Sequence, residues 1–233
     1  MEDLTGNLGA PAPKDNNSRE LGLPTSQPYA AYFTKEFGDP EEWHSAMLPH
    51  RNSTDVIQFI TFRLADTLPQ TILVELELAL KSFSGAKLKS EKQRRYEAYL
   101  DSGYGCCALG NPEMAHVMFE TLKCHDGEKY NLLAWSIMPN HVHVLIKTNR
   151  ELSSIVQSWK SFTARWAIKN NEKYDLNIPI DLGKFWMTEY WDRFIRNAEH
   201  FNNTVKYILN NPKKAGLPSD AVAHKFTGCS LGT

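Results

Sequence analysis

Three features that would each assign the chain to a class of protein are missing from its sequence. No run of apolar residues approaches the roughly 18 needed to cross a bilayer, so we expect no membrane contact. The N-terminus lacks the basic start and apolar run of a signal peptide, and we therefore expect a cytoplasmic location. The four cysteines include no Cys-x-x-Cys pair, so reduced thiols are favoured over a structural zinc site.

A large net charge is also missing, but the charges are distributed unevenly. The formal net charge is −1. From Lys147 onward the chain has 13 Lys and Arg against 8 Asp and Glu, whereas the first 146 residues have 13 against 19. A basic C-terminal half is compatible with contacts to nucleic-acid phosphates. Asymmetry of this size is common, and alone it does not establish such contacts.

The length and composition indicate one globular domain with attachments. The chain has 233 residues, of which 42% are hydrophobic and 23% charged, as in an ordinary globular protein. Residues 1–45 begin with a stretch rich in Gly, Pro, Asn and Ser, and we interpret them as a flexible N-terminal extension. The domain then covers residues 46–217, and residues 218–233 form a C-terminal tail.

The spacing of apolar residues predicts alternating helices and strands. Strands are predicted over residues 56–64, 130–137 and 141–148, and helices over 67–82, 90–100, 151–169 and 198–210, with another helix starting at Asn111. Residues 185–195 are predicted to be extended or irregular. The last helix is expected to stop at Asn211, because proline disfavours helix in the residue before it. A short turn joins the two central strands, so they form an antiparallel hairpin, which predicts an α+β sandwich with helices on an antiparallel sheet.

Two histidines near the start of the second hairpin strand are candidate metal ligands. Side chains alternate along a strand, so His141 and His143 point to one face while Val142 and Val144 point to the other. Two imidazoles side by side on a stiff strand can present nitrogen atoms to one metal ion. The alternative is that they only occupy a half-exposed sheet surface. Their strongly apolar surroundings count against it, because burying two unpaired imidazoles would cost free energy.

The last predicted helix has a polar stripe that could face these imidazoles. Its apolar stripe consists of Phe201, Val205 and Ile208. A polar stripe lies alongside it at steps of three and four residues, and consists of His200, Asn203, Tyr207 and Asn211. Tyr207 could equally be an ordinary packing residue. Neither pattern is specific by itself.

Several long motifs in order resemble the HUH single-tyrosine transposases, and among them the REP-associated tyrosine transposases of bacteria. The motifs occupy residues 59–65, 135–146, 159–164, 186–196 and 207–217, and the resemblance covers about residues 47 to 217. It implies a ferredoxin-like α+β fold. It also implies that His141 and His143 bind a metal ion, that Tyr207 is the nucleophile, and that the amide of Asn211 completes the metal site.

The activity implied is cleavage and strand transfer of single-stranded or hairpin DNA through a covalent 5′-phosphotyrosine intermediate. Mg²⁺ or Mn²⁺ is the expected cofactor. We expect the protein to act as a monomer or homodimer near the nucleoid. Phosphate contacts are predicted from four basic residues, each of which could also be a solvated surface charge: Lys160, Arg193, Arg196 and Lys206. Tyr190 is a rival nucleophile, and could equally be a packing residue.

Two other functions remain open at this point. The protein could be a domesticated module that holds hairpin DNA or RNA without cleaving it. It could also be a metal-dependent nuclease that uses water and leaves Tyr207 with a structural role. Only the transferase forms a covalent bond to DNA. The resemblance does not extend to residues 1–45 or to the chain after Leu217, which lacks the Trp-rich ending of many relatives.

Overall fold

The computed structural model describes residues 41–44, 49–52 and 56–230. A short hairpin comes first, formed by β1 (Glu41–His44) and β2 (Pro49–Asn52). The other strands are β3 (Ile57–Arg63), β4 (Tyr130–Ile137), β5 (His141–Thr148), β6 (Trp191–Phe194) and β7 (Thr227–Cys229). The helices are α1 (Gln70–Leu80), α2 (Gly85–Asp101), α3 (Pro112–Lys123), α4 (Leu152–Lys169), α5 (Ala198–Lys214) and α6 (Val222–Lys225). The predicted N-terminal extension, residues 1–45, lies outside the described residues up to residue 40, and β1 falls within its last residues.

Five strands form one antiparallel sheet in the order β6-β3-β5-β4-β7. The strands β3, β4, β5 and β6 follow one another along the chain as strand, helices, hairpin, helix and strand. This is the βαββαβ order of a ferredoxin-like fold, extended by β7 at one edge. The predicted α+β class and the predicted central hairpin are therefore confirmed. The strand β6 lies within residues 185–195, which were predicted to be extended or irregular.

One face of the sheet is covered by α3 and α4. The side chains of Val142, Val144 and Ile146 on β5 pack there in a fully buried cluster with Trp159 of α4. The indole Nε1 of Trp159 donates to the hydroxyl of Tyr130 at 2.9 Å, so the polar atom of this buried ring has a partner. This face is the larger part of the core, as the alternation along β5 predicts.

The opposite face of the sheet is covered by α5. Phe201, Val205 and Ile208 of that helix are buried against Leu145 of β5. Leu145 lies two residues beyond His143, so the two histidines share the face on which α5 packs. Their burial therefore follows from the apolar stripe of α5, which holds that helix down on the sheet.

The helix α5 continues one turn beyond its predicted end. It includes Pro212 and ends at Lys214, so the prediction that it stops at Asn211 was wrong. Proline removes one backbone donor, the one that would bond to the carbonyl of Ile208. The helical bond from the amide of Ala215 to the carbonyl of Asn211 is made, at 2.9 Å. One missing bond near a helix end is tolerated, and the last turn brings Lys214 onto the same helix as Tyr207.

The C-terminal tail contributes to the sheet. Residues Thr227–Cys229 pair with Ala134–Ser136 of β4, and the amide of Ile137 donates to the carbonyl of Phe226 at 3.1 Å. The boundary predicted at residue 217 therefore does not mark the end of the folded domain. Across the described parts of the chain, no helix is long and apolar enough to span a membrane.

Candidate active site

The two histidine side chains converge on one point beneath α5. The Nε2 atoms of His141 and His143 lie 3.1 Å apart, and each residue is only 1% exposed. Both imidazoles therefore direct a ring nitrogen into the same buried space. The strand alternation predicted this shared face. The contact between the two nitrogen atoms is a finding of the structure.

His141 is held by Asn140, the residue before it. The amide nitrogen of Asn140 donates to the carbonyl oxygens of Leu100 and Tyr104, both at 3.1 Å. The amide oxygen must then be the acceptor that lies 2.7 Å from Nδ1 of His141. The proton on this imidazole is therefore on Nδ1, and Nε2 carries a free lone pair. A hydrogen bond to the outer ring nitrogen fixes the tautomer that a metal-binding histidine needs.

His143 is held by Thr61 on the neighbouring strand. The two residues are direct partners in the pairing of β3 with β5, and Thr61 Oγ1 lies 2.8 Å from His143 Nδ1. A hydroxyl group can donate or accept. Without a metal ion, Thr61 can donate to Nδ1 while Nε2 of His143 donates to Nε2 of His141. When Thr61 accepts instead, the proton moves to Nδ1 and both Nε2 lone pairs become available.

Burial keeps both imidazoles neutral. It lowers the pKa of His141 to about 3, and the positive charge of Lys214 lowers it further. The pKa of His143 also lies well below its ordinary value, because of burial first and then the charges of His141 and Lys214. Neutral imidazole is the form that binds metal ions. The pair is therefore in its ligating form throughout the physiological pH range.

Tyr207 of α5 packs directly against this pair. Its ring meets the ring of His143 edge-on with 5.3 Å between centroids, and also contacts Phe59 at 5.9 Å. Its hydroxyl oxygen is buried and makes no hydrogen bond of ordinary geometry to the described residues. Burial raises the pKa of Tyr207, and the carboxylates of Glu97 and Asp101 on α2 raise it further. The phenol is therefore protonated at rest.

Asn211 lies one turn after Tyr207 and is fully buried. Neither its amide oxygen nor its amide nitrogen makes a hydrogen bond of ordinary geometry to the described residues, although the amide lies beside the hydroxyl of Tyr207. An unpaired buried amide costs free energy, and in a native protein such a group calls for an explanation. A metal ion coordinated by the amide oxygen would supply a partner for that atom.

The donor set suits a metal ion held by two imidazoles and an amide. Within the part of the chain that the structure describes, no three His, Cys, Asp or Glu side chains come together as a metal cluster. An ion bound by His141 and His143 would therefore take its oxygen ligands from groups other than Asp and Glu, such as the Asn211 amide, solvent or a phosphate. Oxygen ligands suit Mg²⁺ and Mn²⁺, and imidazole tolerates Mn²⁺ better than Mg²⁺.

Comparison with known proteins shows which family this part of the chain is similar to. Residues 108–211 match the family model described as "Transposase IS200 like". The resemblance to the IS200-like transposases is confirmed. The matched residues include His141, His143, Tyr207 and Asn211, and leave out β3, α2 and the last turn of α5.

Two curated proteins and one solved structure are also similar. An uncharacterised protein of Haemophilus influenzae is 23% identical, over 46% of this chain and 76% of that protein. A REP-associated tyrosine transposase of Escherichia coli is 24% identical over 41% of this chain. The match spans about half of that relative's length, 52%. The solved structure of a REP-associated tyrosine transposase bound to a REP hairpin has a TM-score of 0.42 and 15% identity, and covers 75% of this chain and 77% of that one.

Of the four predicted phosphate contacts, Arg193 lines the same groove as the tyrosine. Its guanidinium group donates to Gln93 of α2, and both residues line a groove of about 340 Å³ that Tyr207 also lines. Arg196 is exposed just after β6, and Lys206 is exposed on α5. Contact of these three residues with DNA stays a prediction.

Lys160 and Tyr190 lie away from the imidazoles. Lys160 belongs to α4, which covers the other face of the sheet, and its ammonium group donates to the carbonyl of Thr188 at 2.7 Å. Burial lowers its pKa to about 8. Tyr190 packs in the core on that same face. The structure therefore brings Tyr207 to the histidines and leaves the rival tyrosine elsewhere.

Sequence reasoning missed the residues that hold the site. Asn140 appeared only as part of a turn, although an Asn directly before a candidate ligand could have suggested a hydrogen-bonding role. Thr61, Glu97 and Asp101 are distant in sequence from the histidines. Only the strand register and the packing of α2 bring them to the site.

The buried imidazoles predict how stability depends on pH. The measurement is made in EDTA, so that no metal ion binds the imidazoles. In the unfolded chain a histidine binds a proton below its ordinary pKa of about 6.5. In the folded protein His141 binds one only near pH 3. The free energy of unfolding should therefore fall as the pH is lowered from 6.5 towards 4. Each buried histidine should contribute a slope of about 1.4 kcal/mol per pH unit. His141→Gln should reduce the slope by at least that amount in urea titrations.

The exposed His116 on α3 offers a matched control. His116→Gln should leave the pH dependence as it is in the natural protein. Equal slopes for His141→Gln and the natural protein would show that this imidazole is not buried in its neutral form.

Proposed function

We propose that the protein is a single-tyrosine transferase that cuts and rejoins single-stranded or hairpin DNA, with Tyr207 as the nucleophile. The observation that carries the proposal is the edge-on packing of Tyr207 against His143, whose Nε2 meets that of His141. This contact brings a hydroxyl nucleophile beside two potential metal ligands. Covalent catalysis requires the nucleophile and the group that activates it to lie in one site.

The proposed reaction exchanges one phosphodiester for another. The Oη atom of Tyr207 attacks the phosphorus atom, and the bond from phosphorus to the 3′ oxygen breaks. The phenolic proton is lost, and the departing 3′ oxygen takes up a proton to become a hydroxyl group. The DNA is then joined to Tyr207 through its 5′ phosphate. A new 3′ hydroxyl can reverse the step, because the two diesters have similar energies.

The nucleophile needs help at neutral pH. Burial and the carboxylates of Glu97 and Asp101 raise the pKa of Tyr207 in the DNA-free protein. A Mg²⁺ or Mn²⁺ ion held by His141, His143 and Asn211 would withdraw charge from the phosphate oxygens and stabilise the leaving group. The role of α5 is to keep the phenol against that position, through the burial of Phe201, Val205 and Ile208.

The substrate class rests on the family and on the charges near Tyr207. The Escherichia coli relative is named a REP-associated tyrosine transposase, which supports a role in DNA transposition. Arg193 shares a groove with Tyr207, Arg196 and Lys206 are exposed, and all three can contact a DNA backbone. A single strand leaves the approach to a phosphate open, whereas a duplex shields it. We propose that a monomer or homodimer acts in this way at the nucleoid.

Substitution of either imidazole should abolish cleavage. His141→Ala and His143→Ala each remove one ligand, and we expect single-turnover cleavage of a single-stranded oligonucleotide to slow by at least about 100-fold in Mn²⁺ or Mg²⁺. DNA affinity should change little, because the predicted phosphate contacts of Arg193, Arg196 and Lys206 remain in place. Denaturing gels measure the rate, and filter binding measures the affinity.

His116→Ala provides the control for this experiment. It removes an exposed imidazole from α3 and should cleave as the natural protein does. Cleavage by His141→Ala or His143→Ala at the natural rate would contradict a role for the pair in catalysis.

The form of the DNA should matter for binding. We expect a hairpin with a single-stranded flank to bind at least tenfold more tightly than a blunt duplex of the same sequence. Affinity should fall steeply with salt, with a slope of about 0.7 per phosphate contacted in single strands. Equal affinities for the two forms across a salt titration would contradict the proposed substrate class.

A further inference from the structure

Lys214 ends the helix that carries the tyrosine. It is seven residues after Tyr207 and three after Asn211, so the three side chains lie along one edge of α5. Its ammonium nitrogen lies 5.0 Å from the centroid of the Tyr207 ring. The side chain is 48% exposed, so a ligand arriving from solvent can reach it. A cation is thus held beside the nucleophile and open to the DNA side.

Asp101 fixes the position of this cation. Its Oδ2 atom lies 3.3 Å from the ammonium nitrogen of Lys214, and its side chain is only 14% exposed. The other carboxylate oxygen, Oδ1, is buried without a hydrogen-bond partner among the described residues. A fully exposed ion pair leaves a lysine free to move. Here the partner is buried at the end of α2, so the ammonium group is directed towards the tyrosine.

The charge of Lys214 also reaches the metal position. It is the charged side chain that acts on both His141 and His143. Beside an empty pair of imidazoles a positive charge opposes the binding of a cation. Beside a phosphate diester held between the imidazoles and the tyrosine, the same charge is attractive, because the diester brings one negative charge. The arrangement therefore favours an anion at this point.

We propose that Lys214 is a catalytic residue that contacts a non-bridging oxygen of the phosphate attacked by Tyr207. The proposal rests on the function proposed above and names a further residue for it. In the DNA-free protein Asp101 holds the ammonium group in place. When DNA binds, the phosphate oxygen accepts from that group, and the lysine neutralises the charge that grows on the phosphate as the tyrosine attacks. Preorganised donors of this kind stabilise a transition state without having to move.

The neighbouring Lys213 provides a matched control. It is exposed on the same turn of α5 and points about 100° away from Lys214 around the helix axis. A general contribution of positive charge to DNA binding would be similar for both lysines. A contact with one phosphate would be specific to Lys214.

The experiment is a cycle between the lysine and single phosphates. A methylphosphonate, which removes the negative charge of one phosphate, is placed at successive positions of a single-stranded oligonucleotide. Binding is measured with Mn²⁺ in a Tyr207→Phe background, which prevents cleavage. At one position we expect the methylphosphonate to weaken binding about tenfold with Lys214 present, and less than threefold with Lys214→Met. Lys213→Met should keep the full tenfold effect.

Cleavage by the protein with its tyrosine intact identifies the position. The coupled phosphate should be the one that is cut, and Lys214→Met should slow single-turnover cleavage about 100-fold at saturating DNA, with Lys213→Met within threefold of the natural rate. Lys214→Arg should recover part of the rate. Asp101→Asn should keep most of the methylphosphonate effect, because the amide oxygen of the asparagine can still accept from the ammonium group of Lys214.

Several outcomes decide between the alternatives. If no position is coupled to Lys214, if the coupled position is not the one cut, or if Asp101→Asn loses the effect as Lys214→Met does, the proposal is wrong and Lys214 only ties α5 to α2. A coupled phosphate in a protein that cuts no DNA would refute the transferase and leave Lys214 as a phosphate ligand. If Lys214→Met unfolds, Lys214→Gln replaces it in every measurement.

Discussion

The hydrogen bonds that hold the two imidazoles are the constraint on which the rest of the site depends. Asn140 gives its amide protons to two carbonyls near the end of α2, so its oxygen can only accept from His141. Thr61 holds His143 from the neighbouring strand. Because the Nδ1 atoms of both imidazoles are engaged in this way, their Nε2 atoms point towards each other. A rigid, buried pair of imidazoles follows from side chains that contact only their outer nitrogens.

Both faces of β5 are buried, but only one carries the polar residues of the proposed site. The valine face packs with α3 and α4 as an ordinary core. The histidine face is closed by α5, whose apolar residues hold the helix down while its polar edge brings Tyr207 and Asn211 over the sheet. Closure also raises the pKa of the phenol and lowers those of the imidazoles. The same packing that stabilises the domain therefore sets the protonation states from which the chemistry starts.

Much of this arrangement could be predicted from local patterns, and the rest could not. The alternation along His141–Thr148 predicted the face of each side chain, and the motif order predicted the family. The end of α5 was predicted wrongly, because the rule that proline stops a helix is only a preference near a C-terminal turn. Because Lys214 lies beyond the predicted end, its place on the helix of Tyr207 was not predicted. Asn140, Thr61 and Asp101 could not be recognised, since their roles depend on which strands pair and where α2 ends.

Mapping the covalent bond between protein and DNA tests the central claim most directly. A single-stranded oligonucleotide is incubated with the protein and Mn²⁺, the adduct is trapped, and peptide mass spectrometry locates the attached nucleotide. The account predicts a 5′ phosphate on Tyr207, and no adduct from Tyr207→Phe, which should still fold and bind DNA. Attachment to Tyr190 would contradict the assignment of the nucleophile. Cleavage without any adduct would contradict the transferase and indicate a hydrolase that uses water.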